Sequence, residues 1–196
     1  YHQKDQKKMK DTIQNEFNTH IKTATSLHAT TDEVANAAQL CIKCLKSGGK
    51  ILLMGNGGSA ADAQHIAAEL VGRYKIERKG LSAIALTTDT SAITSIANDY
   101  GYLNIFDRQV KTLANEGDVI IGISTGGSSL NVINALKVAN KLGCKTIGFS
   151  GKGGGDFNST CDVNIIVPSD DTARIQEMHI LIGHTICHLI EQEFTK

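Results

Sequence analysis

Five short apolar runs decide what this chain can fold into: KILLMG (50–55), LSAIAL (81–86), DVIIGIS (118–124), KTIGFS (145–150) and VNIIVP (163–168). They are nearly continuous rather than alternating, which is how strands buried on both faces read. Helical patterns fall between most of them, at 59–74, 90–98, 102–115 and 129–142, and a last one over 171–194 closes the chain. This alternation predicts an α/β fold, a parallel sheet covered by helices on both faces. A helical N-terminal extension precedes it. An amphipathic helix is expected over 10–28 and a second over 32–47, capped by Thr31 or Asp32 and ended by Gly48-Gly49. No internal repeat or interdomain linker is visible, and GKGGGDFNST (151–160) reads as a flexible loop within the domain. The opening YHQKDQKKMK is polar and patternless. Met9 is expected to be the natural start, residues 1–8 a remnant of expression, and 9–196 a single domain of a size that buries one sizeable core.

The charge balance narrows the partners. Lys+Arg and Asp+Glu number 20 each, so nothing draws the chain strongly to nucleic acid or an anionic membrane. An anionic ligand has to be held by local backbone donors and hydroxyls. The five cysteines are odd in number and the chain is not short, which argues against a secreted disulfide framework. Cys41-x-x-Cys44 has metal or redox spacing, but a single such pair inside a helical pattern reads better as two small buried thiols. No apolar run is long enough to span a bilayer and no signal peptide is apparent. Reduced cysteines then point to the cytoplasm.

Two junctions carry more glycine and hydroxyl than a turn requires. The first strand runs into Asn56-Gly57-Gly58-Ser59 and a helix. The third runs into Ser124-Thr125-Gly126-Gly127-Ser128-Ser129 and a helix. Glycine lets a ligand approach the backbone, a helix start offers unpaired N–H groups, and hydroxyls add donors for phosphate oxygens. Neither loop fits a dinucleotide fingerprint or a nucleotide P-loop, and the Walker lysine is missing. Helix capping by Ser59 and Ser129 is the plainer reading. Two such loops, with four hydroxyls packed into one of them, favour a small phosphate ester such as a phosphosugar.

Two helices carry candidate chemistry. Asp62, His65, Glu69 and Arg73 share one helical face. Spacing alone favours a solvated stripe with a Glu69–Arg73 ion pair over a His65/Glu69 pair serving as metal ligands or acid–base groups. On the last helix Gln176, Ile180, Gly183, His184 and Cys187 run beside the apolar stripe. Gly183 in mid-helix costs about 1 kcal/mol relative to Ala, so something approaches it closely. His184 and His188 form a rival i, i+4 chelating pair. His20, His28 and His179 read as structural.

GNGGSAADAQHIAAELVGRY, SIANDYGY, GISTGGSSLNVINAL and RIQEMHILIGHTICHLIEQ, in this order and spacing, resemble the sedoheptulose 7-phosphate isomerases, or phosphoheptose isomerases, of the sugar-isomerase (SIS) fold family. The resemblance covers nearly the whole chain from about Lys10. It implies a flavodoxin-like five-stranded parallel sheet and a homotetramer with sites at subunit interfaces. It also implies conversion of sedoheptulose 7-phosphate to D-glycero-D-manno-heptose 7-phosphate, the first step toward activated heptose for bacterial surface glycans. Carried over by motif, Ser124, Thr125, Gly126 and Ser129 hold the phosphate. Asn56, Gly57, Gly58, Ser59, Asn98, Asp99 and Gln176 line the substrate, Glu69 and His184 form the acid–base pair, and His65, Glu69, Gln176 and His184 bind one zinc per subunit. Ala173 stands where some relatives have a sugar-contacting Asp, with Asp170 or Asp171 the nearby candidates to substitute. SIS domains also serve as phosphosugar sensors, and one branch binds the bacterial replication initiator. Both classes need the phosphate loops, so His65, Glu69, Gln176 and His184 are what favour catalysis.

Overall fold

All five apolar runs become strands in a computed structural model that describes residues 2–195. They are β1 (Ile51–Gly55), β2 (Ala83–Ala85), β3 (Val119–Ile123), β4 (Lys145–Ser150) and β5 (Val163–Ile166). All pair in parallel, in the order β2-β1-β3-β4-β5. Ile51 lies beside Val119 and Gly55 beside Ile123, so the two central strands end level with each other. This is the flavodoxin-like order, in which the winding direction reverses between β1 and β3. Ligand crevices in such sheets open beyond the carboxyl ends of the strands at that reversal. Both Gly/Ser loops leave the sheet there.

The helices are α1 (His2–Ser26), α2 (Thr31–Lys46), α3 (Gly58–Val71), α4 (Thr90–Tyr100), α5 (Asp107–Leu113), α6 (Leu130–Lys141), α7 (Phe157–Thr160) and α8 (Thr172–Phe194). Odd and even positions of the strands feed separate cores, which explains why the runs are continuous. Ile51, Leu53, Ile121, Ile147 and Phe149 meet α2, α3 and α8 through Cys41, Ile66, Leu70, Met178, Ile182 and Ile186. Leu52, Met54 and Ile120 meet α5 and α6 through Val110, Val132 and Leu136. Cys41, Cys44 and Cys187 are buried free thiols. Burial pushes the Cys187 thiol up to about 12, which keeps it protonated and inert.

Three expectations need correction. Helix α1 begins at His2 rather than near residue 10, because Gln, Lys and Asp extend a helix without an apolar stripe. The helix expected over 102–115 is broken into a tight turn (Tyr102–Asn104) and α5, because Ile105 and Phe106 drop into the core between them. Residues 151–160 are not a plain loop. They include α7, anchored by the buried Phe157, whose N–H donates to the Gly127 carbonyl at 3.2 Å.

The irregular stretch between α3 and β2 is fixed by one buried pair. The Glu191 carboxylate of α8 accepts from the N–H groups of Tyr74 (3.0 Å), Lys75 (2.8 Å) and Ile76 (3.0 Å). Arg78 Nε lies 3.4 Å from the same carboxylate. The Arg78 guanidinium also donates to the carbonyls of Glu69, Leu70, Gly72 and Lys79 at 2.9 to 3.1 Å. Burial alone would raise the Glu191 carboxyl, but the three N–H groups and Arg78 outweigh it and hold it below the usual carboxylate range. The exposed end of α3 is thereby tied to α8. Helix packing continues inside: a Cβ at Gly183 of α8 would meet Ile66 Cδ1 of α3 at 2.5 Å. That is the close approach the mid-helix glycine signals.

Breaking the buried pair from one side leaves an uncompensated group, so Glu191→Gln should lower unfolding free energy by about 3 kcal/mol; an unchanged urea midpoint would contradict this role. His179 gives a second test. Its Nε2–H donates to the Ser150 carbonyl at 2.9 Å, and burial holds the ring neutral with a pKa lowered from 6.5 to about 4. Between those values the unfolded chain takes up a proton that the folded chain refuses. Stability should therefore fall as pH drops through that window, by up to about 3 kcal/mol from this group. His179→Gln should show a shallower loss between pH 7 and pH 4.5 in parallel urea titrations. A wild-type slope in the variant would remove His179 as the cause.

Candidate active site

The first loop turns tightly because its glycines allow it. A Cβ at Gly55 would meet Ser59 Cβ at 2.8 Å and the Ile123 carbonyl at 2.9 Å, so the start of α3 sits directly on the end of β1. Gly57 takes a left-handed φ of 57° and forms the N-cap of α3. Ser59 is buried in the first turn and its hydroxyl caps nothing. In the second loop Ser129 is the N-cap residue of α6, yet its hydroxyl does not cap the helix either. It meets the Ser124 hydroxyl at 2.9 Å. The capping explanation for Ser59 and Ser129 therefore fails, and the Ser124 and Ser129 hydroxyls pair in the loop that carries the half-buried Thr125 and Gly126.

An amide pair bridges the two loops. Asn56 Nδ2 donates to Asn131 Oδ1 at 2.9 Å, and Asn131 Nδ2 donates back to Asn56 Oδ1 at 3.0 Å. The Tyr102 hydroxyl also donates to Asn56 Oδ1 at 2.8 Å. Asn131 and Tyr102 were not among the sequence candidates. Asn131 had a legible signal: it falls on the same face of α6 as the buried Ala135 and Ala139, and a buried amide needs a partner. Asn98 and Asp99, at the exposed end of α4, are hydrogen-bonded to each other at 2.8 Å rather than to Asn56.

The second cluster lies where α3 and α8 cross. His65 Nε2 is 3.2 Å from Glu69 Oε1 and 3.0 Å from His184 Nε2. The three residues offer ligand atoms that all lie within 4.8 Å of one another, so they could hold a metal ion. The Tyr74 ring stacks on His184 at 5.3 Å, and the Tyr74 N–H is the one gripped by Glu191. The Arg78–Glu191 pair thus fixes both the carbonyl of Glu69 and the ring that orients His184. Asp62, on the same face of α3, is pushed up to about 6 by burial, which the His65 charge only partly opposes.

Other candidates go elsewhere. Arg73 pairs with Glu77 at 3.7 Å, so the expected Glu69–Arg73 pair does not form. His188 stays outside the cluster and approaches Gln192 at 3.4 Å. Gln176 has its amide against Gly58, where a Cβ would meet Nε2 at 2.9 Å, at the opposite end of α3 from Glu69. Ala173 is exposed, and Asp171 is occupied as the N-cap of α8, accepting from the Ala173 N–H at 2.9 Å. Among the described residues no helix is long and apolar enough to cross a membrane.

Comparison with known proteins agrees with this geometry. Residues 16–151 match the SIS domain family. The phosphoheptose isomerase of Aliarcobacter butzleri is 61% identical over 188 residues, covering 95% of this chain and 100% of that protein. The phosphoheptose isomerase of Campylobacter jejuni serotype O:6 is 58% identical, covering 93% and 98%. The solved phosphoheptose isomerase of Neisseria gonorrhoeae superposes with a TM-score of 0.90 at 43% identity, covering 94% of this chain and 99% of that one. With a family match over most of its length, relatives 61% and 58% identical over nearly the whole chain and a shared fold, the chain belongs to the SIS domain family, among the phosphoheptose isomerases.

Proposed function

We propose that this chain interconverts sedoheptulose 7-phosphate and D-glycero-D-manno-heptose 7-phosphate through an enediolate, with Glu69 moving the carbon-bound proton. The observation that carries this is the meeting of Glu69, His65 and His184 where α3 crosses α8. An aldose–ketose isomerisation shifts a proton between adjacent carbons. It needs one base near both carbons and a proton carrier at the two oxygens. Glu69 is an acceptor-only carboxylate suited to the first task. His184 can give or take a proton at its ring nitrogens and is suited to the second. Ser124, Thr125, Gly126 and Ser129 hold the phosphate, while Asn56, Gly57 and Gly58 face the sugar. A protein that only sensed a phosphosugar would need the hydroxyl loop but not the Glu–His cluster.

The same cluster fits one zinc per subunit. Zinc takes imidazole nitrogen and carboxylate oxygen, and tetrahedral bonds of about 2.1 Å set ligand atoms about 3.4 Å apart. The separations of 3.0 and 3.2 Å are close to that. His65, Glu69 and His184 would hold the ion; Gln176, the expected fourth ligand, lies at the other end of α3 against Gly58 and is not part of this cluster. When bound, the ion would polarise the substrate's oxygens as a Lewis acid.

The working form is a homotetramer with sites shared between subunits. Met9, Ile13, Phe17 and Ile21 form a stripe along α1 that is 49% to 65% exposed in the single chain, and an apolar stripe of that length calls for a partner. The α1 helix is held to its own chain by polar contacts instead, chiefly Arg174 to Glu16 and Thr19. Ser59 and Glu69 are also ten residues apart on α3, about 15 Å at 1.5 Å per residue. One subunit does not easily surround a small sugar from both places. The free thiols of the described residues support a cytoplasmic home, where the product would supply heptose for surface glycans.

Glu69→Gln tests the mechanism. Turnover of sedoheptulose 7-phosphate should fall by roughly 100-fold or more, with loss of solvent-hydrogen exchange into substrate and binding largely retained; lower bound zinc with partial rescue by added zinc would make Glu69 chiefly a metal ligand. Wild-type turnover and exchange in this variant would sink the assignment. Sedimentation tests the assembly: the mass should be about four times that of one chain at assay concentration, and a single-chain mass would overturn it.

A further inference from the structure

Residues 152–155 all take left-handed φ angles: 51° at Lys152, 80° at Gly153, 93° at Gly154 and 51° at Gly155. Three of the four are glycine, as the steric cost to an L side chain requires. Lys152 is the only non-glycine residue with positive φ among the described residues. A side chain kept at a position that favours glycine points to a use for that side chain.

The location supplies the use. The 151–155 segment is seated on the hydroxyl loop. A Cβ at Gly127 would lie 2.0 Å from the Gly154 carbonyl, and one at Gly155 would lie 2.4 Å from the Gly126 carbonyl. The Phe157 N–H donates to the Gly127 carbonyl from just beyond. Lys152 itself is pinned, its N–H donating to the Ser169 carbonyl at 3.1 Å. From there its stem runs over the other loop: Cδ is 3.9 Å from the Cβ position of Gly126, in the loop that carries Ser124 and Ser129. The ammonium lies two bonds further on. Among the described residues it has neither an ion pair nor a hydrogen bond.

We infer that Lys152 is the cationic partner of the substrate phosphate, reaching from the β4 loop over the Ser124–Ser129 loop. This rests on the phosphate site proposed above and deepens it. A sugar phosphate near neutral pH carries most of its second charge, since its second pKa is about 6. Hydroxyls and helix N–H groups alone leave that dianion without a counter-charge. The missing Walker lysine is thus replaced by one from a different crossover, set in place by backbone geometry rather than by a motif.

The test compares Lys152→Met, Lys152→Gly and Lys152→Arg in the intact protein. Lys152→Gly relaxes the backbone and serves as the folding control. Met and Gly should raise KM for sedoheptulose 7-phosphate about tenfold and leave kcat within about twofold, as expected for a lost charge-assisted contact remote from the reacting carbons. Inhibition by inorganic phosphate should weaken by the same factor, and Arg should restore most of both. Wild-type KM and phosphate inhibition in Lys152→Met and Lys152→Gly would overturn the inference. A Ser124→Ala, Ser129→Ala double variant separates the two levels. If it loses phosphate binding while Lys152→Met does not, the lysine's role alone is wrong. If the double variant binds phosphate as wild type does, the site itself is wrong and the lysine's role falls with it.

Discussion

The approach of α3 to α8 is the constraint on which the rest depends. Glu69 and His65 ride on one helix and His184 on the other, so the spacing of two helix axes sets the geometry of a three-residue cluster. Gly183 permits that spacing by giving its Cβ volume to Ile66. A glycine in mid-helix weakens α8 locally by about 1 kcal/mol. The buried Arg78–Glu191 pair, a turn or two further along, closes the helices on each other at the end where Glu69 lies. The core contact sets how near the helices come, and the buried pair stops their ends from separating.

The other half of the site follows from topology. The sheet reverses its winding between β1 and β3, and the two strands end level. Two helix starts are thereby brought to one crevice. The Asn56–Asn131 amide pair spans the gap between them. Each amide occupies a donor and an acceptor of the other, so the pair also fixes the distance between the two Gly/Ser loops.

Features governed by local periodicity were legible in the sequence. The strands were, because burial on both faces writes an uninterrupted apolar run. So was Gly183, because a helix has little reason to hold a glycine unless something lies against it. Periodicity overreached where tertiary packing decides. The pattern over 102–115 is helical throughout, yet Ile105 and Phe106 gain more from the core than from continuing a helix. Local spacing also misassigned partners: Arg73 has carboxylates four residues away on both sides and takes Glu77. His184 had candidate partners on its own helix, but its neighbours are His65 and Tyr74 from elsewhere in the chain. Lys152 and Arg78 gave no pattern at all. Each sits in irregular chain, and its role depends on where a loop comes to rest.

The Arg78–Glu191 pair has a consequence for how such a protein can change. The Arg78 N–H groups bond main-chain carbonyls at 69, 70, 72 and 79, and the Glu191 carboxylate bonds main-chain N–H groups at 74, 75 and 76. Every peptide presents those groups whatever side chain it carries. The end of α3 is therefore anchored without reference to the residues it displays. The side chains that α3 displays at this end can change one at a time while the backbone beneath them stays held. In this chain the grip on the backbone is thus separate from the side chains of the face.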